Sequence, residues 1–168
     1  MSNLPFALPD IGEAEIAAVV EVLRSGWLTT GPNTKAFETE FGDFVKARNS
    51  VAVNSATSGL HLAYEALGVG PGDQVIMPTW TFTATAEAVR YLGADPVFVD
   101  VDPHTYLMDL SAADAAVTDR ASIVAPVHFA GLPVPDGALS AFADRHDLAV
   151  VEDAAHSFPT LNEGRLVG

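Results

Sequence analysis

Five short stretches each place chemically capable side chains directly after an apolar run that reads as a strand. The first is Asn54-Ser55-Ala56-Thr57-Ser58-Gly59, leading into a helix. Small hydroxyl residues and free amides at a helix N-terminus suit a phosphate, because the unpaired N–H groups and the helix dipole both favour an anion. An ordinary N-cap explains the same residues. The second stretch is Pro78-Thr79-Trp80-Thr81-Phe82. Trp80 at a strand end is placed to stack on a flat heteroaromatic ring, or simply to fill a core. The third holds Asp100, Asp102 and His104. Two acids and a histidine suggest a metal, yet nothing fixes the three on one face, and a solvated strand end with a helix cap is the simpler reading. The fourth is His128-Phe129-Ala130-Gly131-Leu132-Pro133, a loop needing special backbone angles, with His128 as an interior histidine.

The fifth stretch is Glu152-Asp153-Ala154-Ala155-His156-Ser157. A carboxylate at the end of a buried strand is costly unless it meets a positive partner, and a protonated pyridine nitrogen is one such partner. Ala154 and Ala155 leave room for a ligand, and His156 can reach a phenolic oxygen nearby. Alone, Asp153 also reads as a helix cap. Together the stretches set an anion cradle, an aromatic plate, a buried acid and a histidine at neighbouring strand ends. A phosphorylated, charged pyridine needs that set. The sequence has no G-x-G-x-x-G, so a nicotinamide-dinucleotide fingerprint is not supported.

The elements that must position these groups follow from the spacing of apolar residues. Asp10 and Glu13 predict an acidic cap opening a helix, Ile16, Val19, Val20 and Leu23 recur at helical spacing, and Gly26 ends it. Phe37, Phe41, Phe44 and Val45 predict a second helix with one apolar face. From residue 50 the rhythm alternates. Strands are predicted at 51–54, 74–77, 96–100, 123–127 and 148–152, and helices at 58–67, 83–92, 110–117 and 136–146. Such alternation predicts a three-layer α/β fold around a mostly parallel sheet, with ligands beyond the carboxyl ends of the strands. Residues 1–50 form a helical segment leading into an α/β domain over 51–168.

Composition bounds the rest. At 168 residues, 49% hydrophobic and 18% charged, the chain has enough length and apolar content for a domain with a core. A net charge of −14 repels phosphate backbones, so nucleic-acid binding is not expected. Cysteine is absent, which excludes disulfides, thiolate metal sites and a cysteine nucleophile. There is no apolar run long enough for a membrane span and no leader-like start in residues 1–9, which fits a cytoplasmic location.

In order along the chain, Gly26-Trp27-Leu28-Thr29-Thr30-Gly31-Pro32, Asn54 to Leu62, Gly70-Pro71-Gly72-Asp73-Gln74-Val75, Pro78 to Phe82, His128 to Gly131 and Glu152 to His156 resemble the DegT/DnrJ/StrS aminotransferases. The resemblance runs from about Leu8 to the last residue and implies a large domain of fold type I, the aspartate-aminotransferase-like fold. It implies pyridoxal 5'-phosphate (PLP) as cofactor, with no metal. It implies transfer of an amino group from an amino acid such as glutamate to a nucleotide-linked keto-sugar, as in polysaccharide or antibiotic-sugar synthesis, by a homodimer. On this resemblance Thr57, with the amides of Ala56, Thr57 and Ser58, holds the phosphate. Trp80 stacks on the ring, Asp153 pairs with its nitrogen, and His156 lies near its 3-oxygen, where many relatives have Gln. Trp27, Thr29, Thr30 and Gly31 lie in a loop near a dimer-shared site.

The sequence departs from the family at one position that matters. Its lysines are Lys35 and Lys46, and neither matches the Schiff-base lysine, which follows the Glu-Asp-Ala-Ala-His stretch in relatives. Residues 160–167, turning at Asn162-Glu163-Gly164, read as the start of the hairpin that precedes it. The expectation is a large domain without its final strands or a C-terminal small domain, and little or no amine transfer by these 168 residues alone. Two alternatives stand beside it: a non-catalytic partner of a complete homologue, and part of a PLP-dependent sugar dehydratase that uses histidine in place of the lysine.

Overall fold

A computed structural model describes residues 8–167 of the chain. The reading of residues 1–9 as leader-free therefore falls largely outside the described residues. Helix α1 spans Glu13–Ser25 and α2 spans Pro32–Val45. The cap of α1 differs from the sequence reading. Gly12 is the N-cap, and its N–H donates to Glu15 Oε2 at 2.7 Å. Asp10 and Glu13 do not form the pair, because Glu15 sits at the third helical position, from which a carboxylate reaches back to the cap. Gly26 closes the helix with a left-handed φ of 74°. No residue of α1 is buried, and Ile16, Val19 and Leu23 stand exposed along one face. Helix α2 is better anchored. Phe41 and Phe44 pack their rings on Phe158 at 5.2 and 5.5 Å between centroids.

Helix α3 (Ala56–Ala66), strand β1 (Gln74–Pro78), helix α4 (Ala84–Tyr91), strand β2 (Asp95–Val99), helix α5 (Leu110–Ala116), strand β3 (Ala121–Val124), helix α6 (Asp136–His146) and strand β4 (Ala149–Val150) follow. The sheet has the order β2-β1-β3-β4, and every pairing is parallel. Side chains alternate across it. Val75, Met77, Ile123 and Ala125 face a core shared with Leu60 and Tyr64 of α3 and Ala88 and Val89 of α4. Ile76 and Val124 face the opposite core, with Ala113 of α5 and Leu139, Phe142 and Ala143 of α6. Both faces of β1 and β3 are thus dry, which explains why they read as unbroken apolar runs.

Two predicted strands differ from the structure. Residues 51–54 join no ladder among the described residues, and the Ala52 N–H is taken instead by Glu38 Oε1 of α2 at 2.8 Å. Apolar alternation marks a segment suited to a strand, while a strand also requires a neighbour to bond. The run 148–152 contributes only two ladder residues, followed by a single parallel bridge between Val127 and Asp153. The predicted hairpin is present as β5 (Leu161–Asn162) antiparallel to β6 (Arg165–Leu166). Its turn uses Glu163 and Gly164, both with positive φ.

Candidate functional site

The chain leaves β1 toward β2 on one side, and the next strand, β3, lies on the other side of β1. A crevice opens beyond the carboxyl ends at such a reversal, and ligands of open α/β sheets bind there. A cavity of about 630 Å³ occupies this place. Ala56 and Thr57 at the start of α3 form one wall, Thr79 to Phe82 after β1 another, and His128, Phe129, Asp153 and His156 complete it. Five of the six residues expected to meet a cofactor (Ala56, Thr57, Trp80, Asp153 and His156) therefore line one space.

Ser58 does not join them. Its N–H donates to Ser55 Oγ at 3.2 Å and its hydroxyl to Asn54 Oδ1 at 2.7 Å, so it serves the cap of α3. The loop holding Trp27, Thr29, Thr30 and Gly31 also lies elsewhere. It lines a separate cavity of about 1090 Å³ against α1. Trp27 Nε1 donates to the Thr30 carbonyl at 3.1 Å, and the indole lies so close to Gly31 that any side chain there would strike it. Neither lysine lines the main cavity: Lys35 belongs to α2, and Lys46 follows it as the C-cap.

Asp153 is held by the main chain on both sides. Its N–H donates to the Pro126 carbonyl at 2.9 Å, and its own carbonyl accepts from His128 N–H at 3.1 Å. Asp153 is only 8% exposed. Oδ2 accepts from Thr85 Oγ1 at 2.6 Å and Oδ1 from Ala155 N–H at 3.3 Å. Among the described residues it forms no ion pair, although other acids of the chain do. A buried carboxylate with neutral donors alone is left needing a cation.

Trp80 is half exposed at the cavity wall, backed by Tyr106 at 5.6 Å and Phe129 at 5.8 Å between centroids. Tyr106 has a φ of 60°, a conformation uncommon for a bulky side chain, and it is held by its N–H donating to the Asp102 carbonyl at 2.8 Å. Asp102 in turn accepts from the His104 and Thr105 amides, which hold its carboxyl below the ordinary range. The Asp100, Asp102 and His104 stretch thus builds a turn that buttresses the tryptophan. His128 is fully buried. Its Nδ1 accepts from Val134 N–H at 3.0 Å, and Nε2 lies 3.3 Å from Glu152 Oε1 without hydrogen-bond alignment.

Sequence reasoning missed Tyr64, Thr81 and Thr85. Tyr64 is fully buried beneath the acid, and its phenol pKa is pushed well above the ordinary value, first by burial and second by the Asp153 carboxylate. The folded chain therefore keeps this proton at a pH where the unfolded chain releases it. Stability is full below pH 10.0, the unperturbed value, and falls as pH rises above it. Alkaline unfolding midpoints should show this loss in the parent protein and a flatter profile in Tyr64→Phe; identical profiles would exclude Tyr64 as the source.

Residues 9–168 match the sequence profile of the DegT/DnrJ/EryC1/StrS aminotransferase family. The chain belongs to that family. Solved structures agree. DesV of S. venezuelae, captured with a ketimine intermediate, is 40% identical with a TM-score of 0.88, over 91% of this chain and 41% of that one. 3-Amino-5-hydroxybenzoic acid synthase is 38% identical with a TM-score of 0.91, over 96% and 43%. NtdA from Bacillus subtilis, with bound cofactor PMP, is 32% identical with a TM-score of 0.89, over 98% and 39%. The chain thus spans less than half the length of these family members. Its parallel sheet between helical layers is the fold type I architecture that the resemblance implied.

Proposed function

We propose that this chain supplies the cofactor-binding part of a PLP-dependent sugar aminotransferase, with residues 51–168 as the large domain and 1–50 leading into it. The observation that carries this reading is the buried Asp153 carboxylate, unpaired with any cation among the described residues, in a cavity walled by Trp80 and by the start of α3. The cavity fits the group: about 630 Å³ lies within the usual range for small-molecule sites. Thr57 and the amides of Ala56 and Thr57 would hold the phosphate, because first-turn amides lack intrahelical acceptors. Trp80 would cover one ring face, Asp153 would keep the ring nitrogen protonated, and His156 would meet the 3-oxygen. When bound, the cofactor supplies an electron sink for the amino-acid carbon that loses its proton.

The roles of this chain are therefore to bind, orient and hold one proton at the ring nitrogen. Amine transfer from an amino acid to a nucleotide-linked keto-sugar is the activity we propose for the enzyme to which this chain contributes, and we assign the loop of Trp27, Thr29, Thr30 and Gly31 to a dimer-shared face. Pyridoxamine 5'-phosphate is the suitable probe, since it needs no lysine. Quenching of tryptophan fluorescence on titration should report saturable binding, and Trp80→Ala should weaken it by roughly five- to tenfold through lost ring stacking. A protein that shows no saturable uptake would defeat the proposal.

A further inference from the structure

We infer that Thr85 is a positioning residue that sets the orientation of Asp153, and that Thr81 orders Thr85 in turn. The inference rests on reading the cavity as the PLP site and goes beyond it by assigning two residues that the resemblance did not supply.

Thr85 lies in α4 and is fully buried. A threonine inside a helix ordinarily returns its hydroxyl to the carbonyl four residues back. Thr85 instead sends it across to the end of β4, where Oγ1 meets Asp153 Oδ2 at 2.6 Å over 68 residues of sequence. On its other side the same oxygen lies 2.7 Å from Thr81 Oγ1. Along the 2.6 Å contact Thr85 donates to Asp153. The Thr85 oxygen is then free to accept, and Thr81 donates inward along the 2.7 Å contact in preference to the Phe82 carbonyl at 3.2 Å. Both hydroxyl dipoles therefore point their positive ends at the acid.

This arrangement has two consequences for the site. It fixes Oδ2, while the other oxygen receives only the longer 3.3 Å bond from Ala155 N–H and stays available to an incoming cation. It also ties the acid to the segment that carries the aromatic plate, because Thr81 sits between Trp80 and Phe82, both in the cavity wall. The chain Thr81–Thr85–Asp153 thus sets the angle between plate and acid before any ligand arrives, and such preorganisation strengthens binding.

The test uses the whole protein and pyridoxamine 5'-phosphate labelled with nitrogen-15 in the ring. Affinity is read by calorimetry, and the nitrogen chemical shift separates a protonated from a neutral ring. Thr85→Val keeps the shape and removes the hydroxyl. It should lower affinity roughly tenfold and move the shift toward the neutral ring. Thr85→Ser should restore both to within about twofold. Thr81→Val should lower affinity about threefold. If Thr85→Val does not fold, Thr81→Val decides, and an unchanged affinity there overturns the inference. Wild-type values in Thr85→Val, or a Thr85→Ser variant as weak as Thr85→Val, also overturn it. A parent protein that takes up no pyridoxamine 5'-phosphate defeats the proposed function itself, a result distinct from a parent that binds while Thr85→Val matches it.

Discussion

Asp153→Asn should weaken pyridoxamine 5'-phosphate binding by roughly two to three orders of magnitude while leaving the ligand-free protein at least as stable as its parent. The two halves have one cause. Removing one member of a buried, hydrogen-bonded charge pair costs about 2–5 kcal/mol, and tenfold in affinity corresponds to about 1.4 kcal/mol. Without ligand there is no pair. The parent then keeps an acid at 8% exposure on neutral donors alone. The asparagine amide has nearly the same shape, still accepts from Thr85 and carries no charge to desolvate. Stability should be unchanged to about 1 kcal/mol higher, as where a binding site holds a costly group for its ligand. Calorimetric titration and urea unfolding of the same preparations check both halves. Equal affinities in parent and variant would show that Asp153 faces no cation.

Phe142→Ala should cost about 3–5 kcal/mol of unfolding free energy, the range for a large aromatic truncated in a core. Phe142 is 1% exposed on α6 and packs in the core with Ile76 and Val124 of the sheet and with Leu139. Its ring also meets His146 at 5.0 Å, with the Arg145 guanidinium above it at 5.8 Å. Against a typical domain stability of about 5–15 kcal/mol, this loss removes a large share of the total. Phe44→Ala, on a residue 53% exposed, serves as the mild comparison. Urea midpoints of the two variants should differ widely. A Phe142→Ala loss no larger than that of Phe44→Ala would mean that α6 contributes little to the core.

The sequence made the helices and the site's main groups legible for definite reasons. The span 136–146 matches α6 because Leu139, Phe142 and Ala143 keep helical spacing on one buried face. Asn162-Glu163-Gly164 marks a hairpin because Gly164 accepts the positive φ its turn requires. Trp80, Asp153 and His156 were brought to attention because they come after apolar runs, and the structure sets all three in the lining of one cavity. Residues 51–54 were misread because local alternation does not say whether another strand lies alongside. Ser58 stands at the cap of α3 instead of in the cavity lining, and sequence does not separate these two places because a phosphate-facing amide and a cap amide look alike. Thr85 was overlooked because a threonine among alanines inside a helix reads as filler.

The reciprocal main-chain bonds around Asp153 have a bearing on how such a protein diverges. They join backbone groups of Pro126, His128 and Asp153, so the place of the acid on the main chain is fixed without side chains, while Thr85 sets how its carboxylate is turned. Ala154, Ala155 and His156 can then change in bulk or polarity, reshaping the room offered to a ligand, while the acid keeps its address. A fold that anchors its charge through the peptide chain leaves the neighbouring positions open to selection for new substrates.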